Sequence, residues 1–429
     1  MLANRLNAIK PSPTVVVSNL AEQLKREGKD VINLGEGEPD FDTPDHIKEA
    51  AVKAIADNRT RYTQVDGIDE LKRAVVEKFA RENNIECCPH SVTVGSGAKH
   101  VIYNAFMATI DPKDEVLIPA PYWVSYPDMV LLAGGVPVPI DCTADARLKL
   151  RAEQLEAAIT PRTKWLVMNS PSNPAGATYS KQELLELAEV LVRHDDILIL
   201  MDDIYEHIVF DNCEFRTLAE VAPELQHRIL TLNGVSKAYC MTGWRIGYAT
   251  GPEQMIKAIS SIQSHSTSNP NSVAQYAAVA ALTGPTDFIA SNNRRFSERR
   301  DYVVESLNRI KGLNCTTPEG AFFVFPSCSA LIGATCPDGQ QIGSDVDFVN
   351  YLLRDAGVAT VPGAAFGTDR FFRISFATSM ENLELAMRRI ESACEALQFA
   401  GLAPSDPSTI SSSRRASRSV WTRGTRAAN

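Results

Sequence analysis

The sequence predicts an α/β fold, with a large domain on a mostly parallel central sheet and a smaller α+β domain. Three observations lead there. Short runs rich in Val, Ile and Leu alternate with amphipathic helical patterns, the signature of helices packed on a parallel sheet. The chain has 429 residues, more than one hydrophobic core ordinarily supports. After about residue 290 the strand-like runs acquire different flanks, so a second unit is expected there.

The elements follow in order. Residues 1–44 form an N-terminal segment, expected to join the small domain and to close over the active site. In "TPDHIKEAAVKAIADN", Thr43 stands where an N-cap belongs and Pro44 in the first turn, where its missing N–H costs nothing. This helix opens the large domain, residues 45–300. Its candidate strands are "SVTVG", "DEVLIPA", "KWLVMN", "DILILMD", "RILTLNG" and "WRIGYAT", with helices such as "GAKHVIYNAFMATI" and "KQELLELAEVLVRH" between them. The pattern "SNNRRFSERRDYVVESLNRIKG" then leads to "LNCTTPEGAFFVFPSC", "FFRISFA" and a final helix from Met380, which together give the small domain, residues 301–400. Residues 401–429, rich in Ser and Pro with five arginines against one aspartate, cannot bury enough apolar surface to fold and are expected to be a disordered basic tail.

Composition limits the function. With 44% hydrophobic and 22% charged residues, no apolar run near the ~18 residues of a membrane span and no charged-then-apolar leader, a cytoplasmic protein with no membrane partner is expected. A net charge of −9 disfavours nucleic acid as a partner. Nine cysteines show no C-x-x-C pair, and only Cys87 and Cys88 adjoin, so buried free thiols are expected and no metal site.

Four stretches carry chemistry. In "TVGSGAKH" a strand meets Gly95-Ser96-Gly97 and then a helix, a turn able to bind phosphate or merely to bend the chain. It lacks the spacing of dinucleotide and P-loop motifs. In "NGVSKAYCMTGWRIGYAT", Lys237 ends an apolar strand among small residues. Either it is a surface loop lysine, or burial lowers its pKa and frees a neutral amine to bond an aldehyde. Arg245, read here as lying in an apolar strand, needs an anionic partner, and phosphate suits its fork. In "DILILMDDIYEH", Asp202 ends a hydrophobic strand where open parallel sheets bind ligands, with Tyr205 three residues on. It serves either to cap the next turn or to pair with a buried cation such as a protonated pyridine nitrogen. In "MNSPSNPAGATYS", Asn173 precedes a proline, first of all a turn signal, although its amide is able to bond a phenolic oxygen. Trp123 in "PAPYWVSYPDM" offers an indole face to a flat ring or packs in the core. Jointly these features match every polar handle of pyridoxal 5′-phosphate.

The run G-V-S-K-A-Y-C-M-T-G-W-R-I-G, residues 234–247, resembles the lysine signature of class I pyridoxal-phosphate aminotransferases. "LGEGEPDFDTP", "RYTQVDGIDELKRAV", "SPSNPAG", "DDIYEHIVF", "STSNPNSVAQ" and "GVATVPGAAFG" are similar to the bacterial-type aspartate aminotransferase branch. The resemblance spans about residues 5–398. It implies the pyridoxal-phosphate-dependent transferase fold (fold type I) and a homodimer with shared active sites. It also implies transfer of the amino group of aspartate to 2-oxoglutarate by a two-step, ping-pong cycle, the substrates being an amino acid and a 2-oxo acid.

Position by position, the resemblance makes Lys237 the Schiff-base lysine and the base that moves the Cα proton. Asp202 keeps the pyridine nitrogen protonated, Tyr205 and Asn173 hold the phenolic oxygen, and Trp123 stacks on the ring. Gly97, Ala98, Ser236 and Arg245 hold the phosphate, joined by Tyr62 from the neighbouring subunit. Arg373 grips the substrate's α-carboxylate, with Gly37 approaching through its backbone, and Trp123 and Asn173 also face the substrate. Lys99 meets the distal carboxylate, and Ser12 and Thr14 lie in the segment that closes over it. Two departures stand out: Cys240 replaces a small residue such as Ala, and Ala8 stands where relatives that also transaminate prephenate carry an arginine. The second disfavours prephenate. The same fold serves aminotransferases of other specificity and β-lyases, and a ligand-sensing regulator is a remote alternative, disfavoured because no DNA-binding domain precedes the motifs.

Overall fold

The computed structural model describes residues 2–144 and 147–399, so the tail expected over 401–429 lies outside the described residues. The first strand, β1 (Ile32–Asn33), belongs to a small sheet. The central sheet comprises β2 (Val92–Gly95), β3 (Glu115–Ala120), β4 (Val136–Asp141), β5 (Thr163–Asn169), β6 (Leu198–Asp202), β7 (Ile229–Gly234) and β8 (Gly247–Thr250), in the order β2-β8-β7-β6-β5-β3-β4. Only β8 runs against its neighbours, so the sheet is mostly parallel.

Helices cover both faces, which is why β3, β5, β6 and β7 read as continuous apolar runs. Alternate residues feed two cores. Val116, Ile118, Val167, Leu200 and Leu230 pack with Val101, Ile102 and Phe106 of helix Ala98–Thr109 and with Ile256 and Ile259 of helix Glu253–Ser264. Leu117, Leu166, Met168, Ile199 and Met201 face the other way, toward Leu184, Leu187 and Leu191 of helix Lys181–Leu191. That helix starts at Ser180, whose hydroxyl accepts from the Glu183 N–H in a capping box.

The sequence found every central strand except β4. This edge strand carries two prolines and, apart from buried Ile140, consists of exposed and half-buried residues, so it lacks the apolar signature. Another difference concerns Thr43. The helix runs Asp45–Ala56 with Pro44 at the N-cap, and the Thr43 hydroxyl instead donates to the Cys240 carbonyl at 2.6 Å and accepts from Trp244 Nε1 at 3.0 Å. It fastens this entry to the lysine loop.

The remaining strands are β9 (Phe323–Val324), β10 (Val358–Ala359), β11 (Val361–Pro362) and β12 (Phe372–Ser375). An antiparallel sheet has the order β11-β12-β9, while β1 pairs in parallel with β10 and so carries residues 32–33 to the C-terminal part of the chain. Helix Asp287–Arg309 runs unbroken through position 300. No described helix is long and apolar enough to cross a membrane. All nine cysteines are free; five are buried, but Cys88 is exposed and Cys87, Cys213 and Cys240 are half-buried, so burial of every thiol does not hold.

Candidate active site

The C-terminal ends of the parallel strands meet at one edge of the sheet, where open α/β sheets bind ligands. Asp202 ends β6 and Tyr205 lies on the turn after it. Ser236 and Lys237 follow β7, Asn169 ends β5, Asn173 lies four residues on, and Ala98 and Lys99 open the helix after β2. Trp123 and Tyr126 follow β3. Because β8 is reversed, its beginning lies at this same edge: Gly247 pairs with both Gly95 and Gly234, and Arg245 stands just before it. The sequence put Arg245 in a strand, whereas the structure gives it a left-handed turn conformation, φ 57°, after the turn Thr242–Trp244. Only a glycine fits at 247, since a Cβ there would lie 2.1 Å from the Ala98 nitrogen.

A cavity of about 290 Å³ opens at this edge, lined by Thr14, Gly37, Ala98, Lys99, Trp123, Asn173, Asp202, Tyr205, Ser236, Lys237, Arg245 and Arg373. Twelve of the residues singled out from the sequence therefore share one space. Gly97 stands directly behind it: at φ +91° it brings its Cα so near Arg245 that a Cβ would lie 2.4 Å from Nη2. Ser12 does not line the cavity, but its hydroxyl hydrogen-bonds Thr14 Oγ1 at 3.0 Å. Tyr62 is not brought in; its side chain projects from the surface, 91% exposed.

Lys237 is half-buried, reached by the cavity on one side and enclosed by protein on the others. Burial pushes its ammonium pKa down to about 8, helped by the nearby Arg373 and Arg245 charges and opposed by Glu38. Its Nζ donates to the Gly37 carbonyl at 2.5 Å and lies 5.9 Å from the Tyr205 ring centre. Asp202 is buried, and the loss of water raises its carboxyl to about 6, against the pull of donors from Tyr126 and Ile204. The Tyr126 hydroxyl donates to Asp202 Oδ2 at 2.5 Å. Beneath, Asn169 Nδ2 donates to the Asp202 carbonyl at 2.8 Å and Asn169 Oδ1 accepts from the Asn173 N–H at 2.8 Å. Burial also pushes the Tyr205 phenol up, while a hydrogen bond with Asn173 and the Arg373 charge favour its ionised form.

Arg373, on β12, enters from the small sheet. It is 2% exposed, with Nη1 donating to Asn173 Oδ1 at 2.8 Å and Nη2 to the Gly35 carbonyl at 2.5 Å. Its guanidinium lies 4.4 and 5.0 Å from the ring centres of Phe323 and Phe366. Among the described residues Nε has no hydrogen-bond partner, neither acceptor is charged, and burial lowers the pKa to about 10. A buried cation in this state calls for an anion. Lys99 lies 4.7 Å over the Trp123 ring, its pKa lowered by burial and by Arg245.

Sequence reasoning missed Tyr126, Asn169 and Thr242, which also line the cavity. Tyr126 had a signal, lying one helical turn after Trp123. Thr242 hydrogen-bonds Glu38 and so clips the Gly35–Glu38 segment to the lysine loop. Elsewhere Glu82, Glu206 and His207 lie close enough to share an ion, but Lys78, fully buried, pairs with Glu206 and supplies the positive charge.

The arrangement can therefore hold an anion at the helix start beside Arg245, a cationic ring nitrogen at Asp202, a carboxylate at Arg373 and an aldehyde at Lys237. Comparisons with known proteins agree with this chemistry. The family model for class I and II aminotransferases matches residues 29–390. The chain is 57% identical over 396 residues to an aspartate/prephenate aminotransferase of Cereibacter sphaeroides, covering 92% of this chain and 99% of that one. It is 53% identical over 395 residues to an aspartate aminotransferase of Rhizobium meliloti, 92% and 96% covered. The crystal structure of an aspartate aminotransferase from Rhizobium meliloti superposes with a TM-score of 0.91 at 52% identity, covering 93% of this chain and all of that one. That of Thermus thermophilus aspartate aminotransferase with maleate gives 0.86 at 42% identity, 92% and 99% covered. The fold is the pyridoxal-phosphate-dependent transferase fold, and the chain belongs to the class I and II aminotransferase family.

Proposed function

We propose that this chain is an aspartate aminotransferase that carries pyridoxal 5′-phosphate and passes the amino group of L-aspartate to 2-oxoglutarate. The observation that carries the reading is the half-buried Lys237 amine, its pKa near 8, in one cavity with Asp202, Arg245 and Arg373. The residues fit the cofactor. Gly97 has no room for a Cβ beside Arg245, which leaves backbone and guanidinium together for a phosphate, and Asp202 is a buried acid that forms no ion pair among the described residues.

Bound there, the cofactor supplies an aldehyde that captures amines and a ring that withdraws electrons from the substrate Cα. The chain's residues do the rest. Asp202 keeps a proton on the ring nitrogen, with Tyr126 and Asn169 fixing its orientation. Tyr205 and Asn173 bond the phenolic oxygen, and Trp123 covers the ring. Lys237 Nζ holds the aldehyde at rest and moves the Cα proton once substrate has arrived. Arg373 orients the α-carboxylate through its free edge, and Ser12, Thr14 and Gly37 belong to the segment that shuts out water. Tyr62, exposed and outside the lining of its own cavity, serves the phosphate in a second copy, which makes the working unit a homodimer.

A lysine with a pKa of about 8 is unprotonated in roughly a tenth of molecules at pH 7. Covalent loading of cofactor-free protein is therefore expected to quicken about tenfold per pH unit below pH 8 and to level off above it. Stopped-flow absorbance reads this directly, and a rate that rises up to pH 10 would show an ordinary, solvated lysine.

Lys99, at the cavity wall beside Trp123, is proposed to meet the distal carboxylate. Maleate, held in the Thermus thermophilus structure, is a dicarboxylate. Lys99→Ala is expected to lower kcat/KM for aspartate by about 10- to 100-fold, the value of one charged hydrogen bond, and to spare alanine. Equal losses for both donors would refute the assignment.

A second reading adds prephenate as amino acceptor. The name of the Cereibacter sphaeroides relative favours it, and Ala8 opposes it. A panel of donors and acceptors tests both: aspartate with 2-oxoglutarate should give oxaloacetate and glutamate in equal amounts by ping-pong kinetics. Ammonia release would indicate a β-lyase instead.

A further inference from the structure

Tyr62 ends free, but the loop behind it does not. Residues 57–68 join helix Asp45–Ala56 to helix Asp69–Asn83, and Tyr62 lies midway along them. Two fully buried glutamines are committed to this loop. Gln275, on helix Ser272–Thr283, accepts from the Ile68 N–H at 2.8 Å through Oε1 and donates through Nε2 to Thr63 Oγ1 at 3.1 Å and the Pro270 carbonyl at 3.0 Å. Gln263 donates to the Val65 carbonyl at 2.5 Å and the Val94 carbonyl at 2.8 Å, and accepts from Asn104 Nδ2 at 3.3 Å. The loop is pinned further by the Val94 N–H on the Asp66 carbonyl, 2.9 Å, by the Asp66–Lys72 ion pair, 2.7 Å, and by Gly67, where a Cβ would lie 2.6 Å from Val94 Cγ2.

Burying a primary amide is costly unless its hydrogen-bonding groups are met, and here the loop meets three of them, through the Ile68 N–H, the Val65 carbonyl and the Thr63 hydroxyl. The loop contributes nothing to its own cavity. Its only projecting aromatic is Tyr62. Holding a side chain still by locking the backbone beneath it is how a site is preorganised.

We propose that Gln275, assisted by Gln263, is a positioning residue that aims Tyr62 at the partner subunit's cavity, so that Gln275 governs cofactor retention in the other site rather than in its own. This rests on the homodimer reading above. Gln263 also grips Val94, in the strand that runs into the chain's own Gly95–Gly97 turn, so one amide touches the supports of both sites.

Mixed dimers with differently tagged subunits test it. One subunit carries Lys237→Ala, leaving a single covalent site in its partner, and the readout is the rate at which pyridoxal phosphate leaves that live site. Gln275→Leu in the Lys237→Ala subunit, which lends its Tyr62 to the live site, is expected to speed release about tenfold, the worth of one or two hydrogen bonds. The same change in the live subunit should leave the rate unaltered. Equal effects from both placements, or none, overturn the proposal. Tyr62→Phe in the same two placements separates the readings: if it depends on placement and Gln275→Leu does not, the positioning role alone fails, and if it does not, the shared-site reading fails with it. Should Gln275→Leu not fold, Thr63→Val removes the hydroxyl that accepts from Gln275 and donates to the Gln64 carbonyl, both within the loop's support, and must show the same placement dependence.

Discussion

Replacing Lys237 with alanine is expected to stop amino transfer, with kcat falling by about four orders of magnitude or more, the upper range for loss of a positioned acid–base group. The reason is that no neighbour can take over. Lys99, whose pKa burial also lowers, stands over Trp123 at the cavity wall, Arg373 does not give up a proton near neutral pH, and Lys237 is the amine held at the Gly37 carbonyl beside the Tyr205 ring. The variant should still retain pyridoxal phosphate without a covalent bond, because Arg245, Ser236 and the start of helix Ala98–Thr109 remain. Single-turnover absorbance separates the two effects. Turnover near the normal rate in this variant would contradict the assignment.

Arg373→Ala is the second large effect. Its guanidinium is already held by Asn173 and Gly35 and framed by Phe323 and Phe366, so it is oriented before substrate arrives. Losing a buried charge-to-charge contact of this kind costs about 2–5 kcal/mol, roughly 30- to 5,000-fold in kcat/KM. Because every amino acid has an α-carboxylate, aspartate and alanine should suffer alike, in contrast to Lys99→Ala. Arg373→Lys should restore little, since an ammonium cannot reproduce the planar fork. A loss confined to dicarboxylic donors would mean that Arg373 faces the wrong end of the substrate.

Much of this site could be read from the chain because the fold reduces it to strand ends. Asp202, Lys237 and Gly97 each follow a short apolar run, and once those runs are taken as parallel strands their C-terminal ends must converge. Arg245 was harder to read. Its reach depends on β8 running backwards and on a left-handed turn, and neither leaves a mark in hydrophobic periodicity. Tyr126 and Asn169 escaped for another reason. The Tyr126 bond to Asp202 joins residues 76 positions apart, and neither partner belongs to a local motif that announces the other. β4 was lost to its prolines and exposed edge, and Thr43 gave up its expected cap for contacts with Cys240 and Trp244 nearly 200 residues away in sequence. The support of Tyr62 by Gln275 and Gln263 is likewise visible only after folding, since both glutamines lie on helices whose patterns reveal burial and not purpose.

The central claim is that the nitrogen of residue 237 bonds the cofactor's aldehyde, and reduction of the loaded protein with borohydride followed by peptide mapping tests it most directly. The account predicts one pyridoxyl label per chain, on the peptide that carries Lys237. A label on Lys99 or on any other lysine, or a loaded protein that borohydride leaves unlabelled, would contradict it.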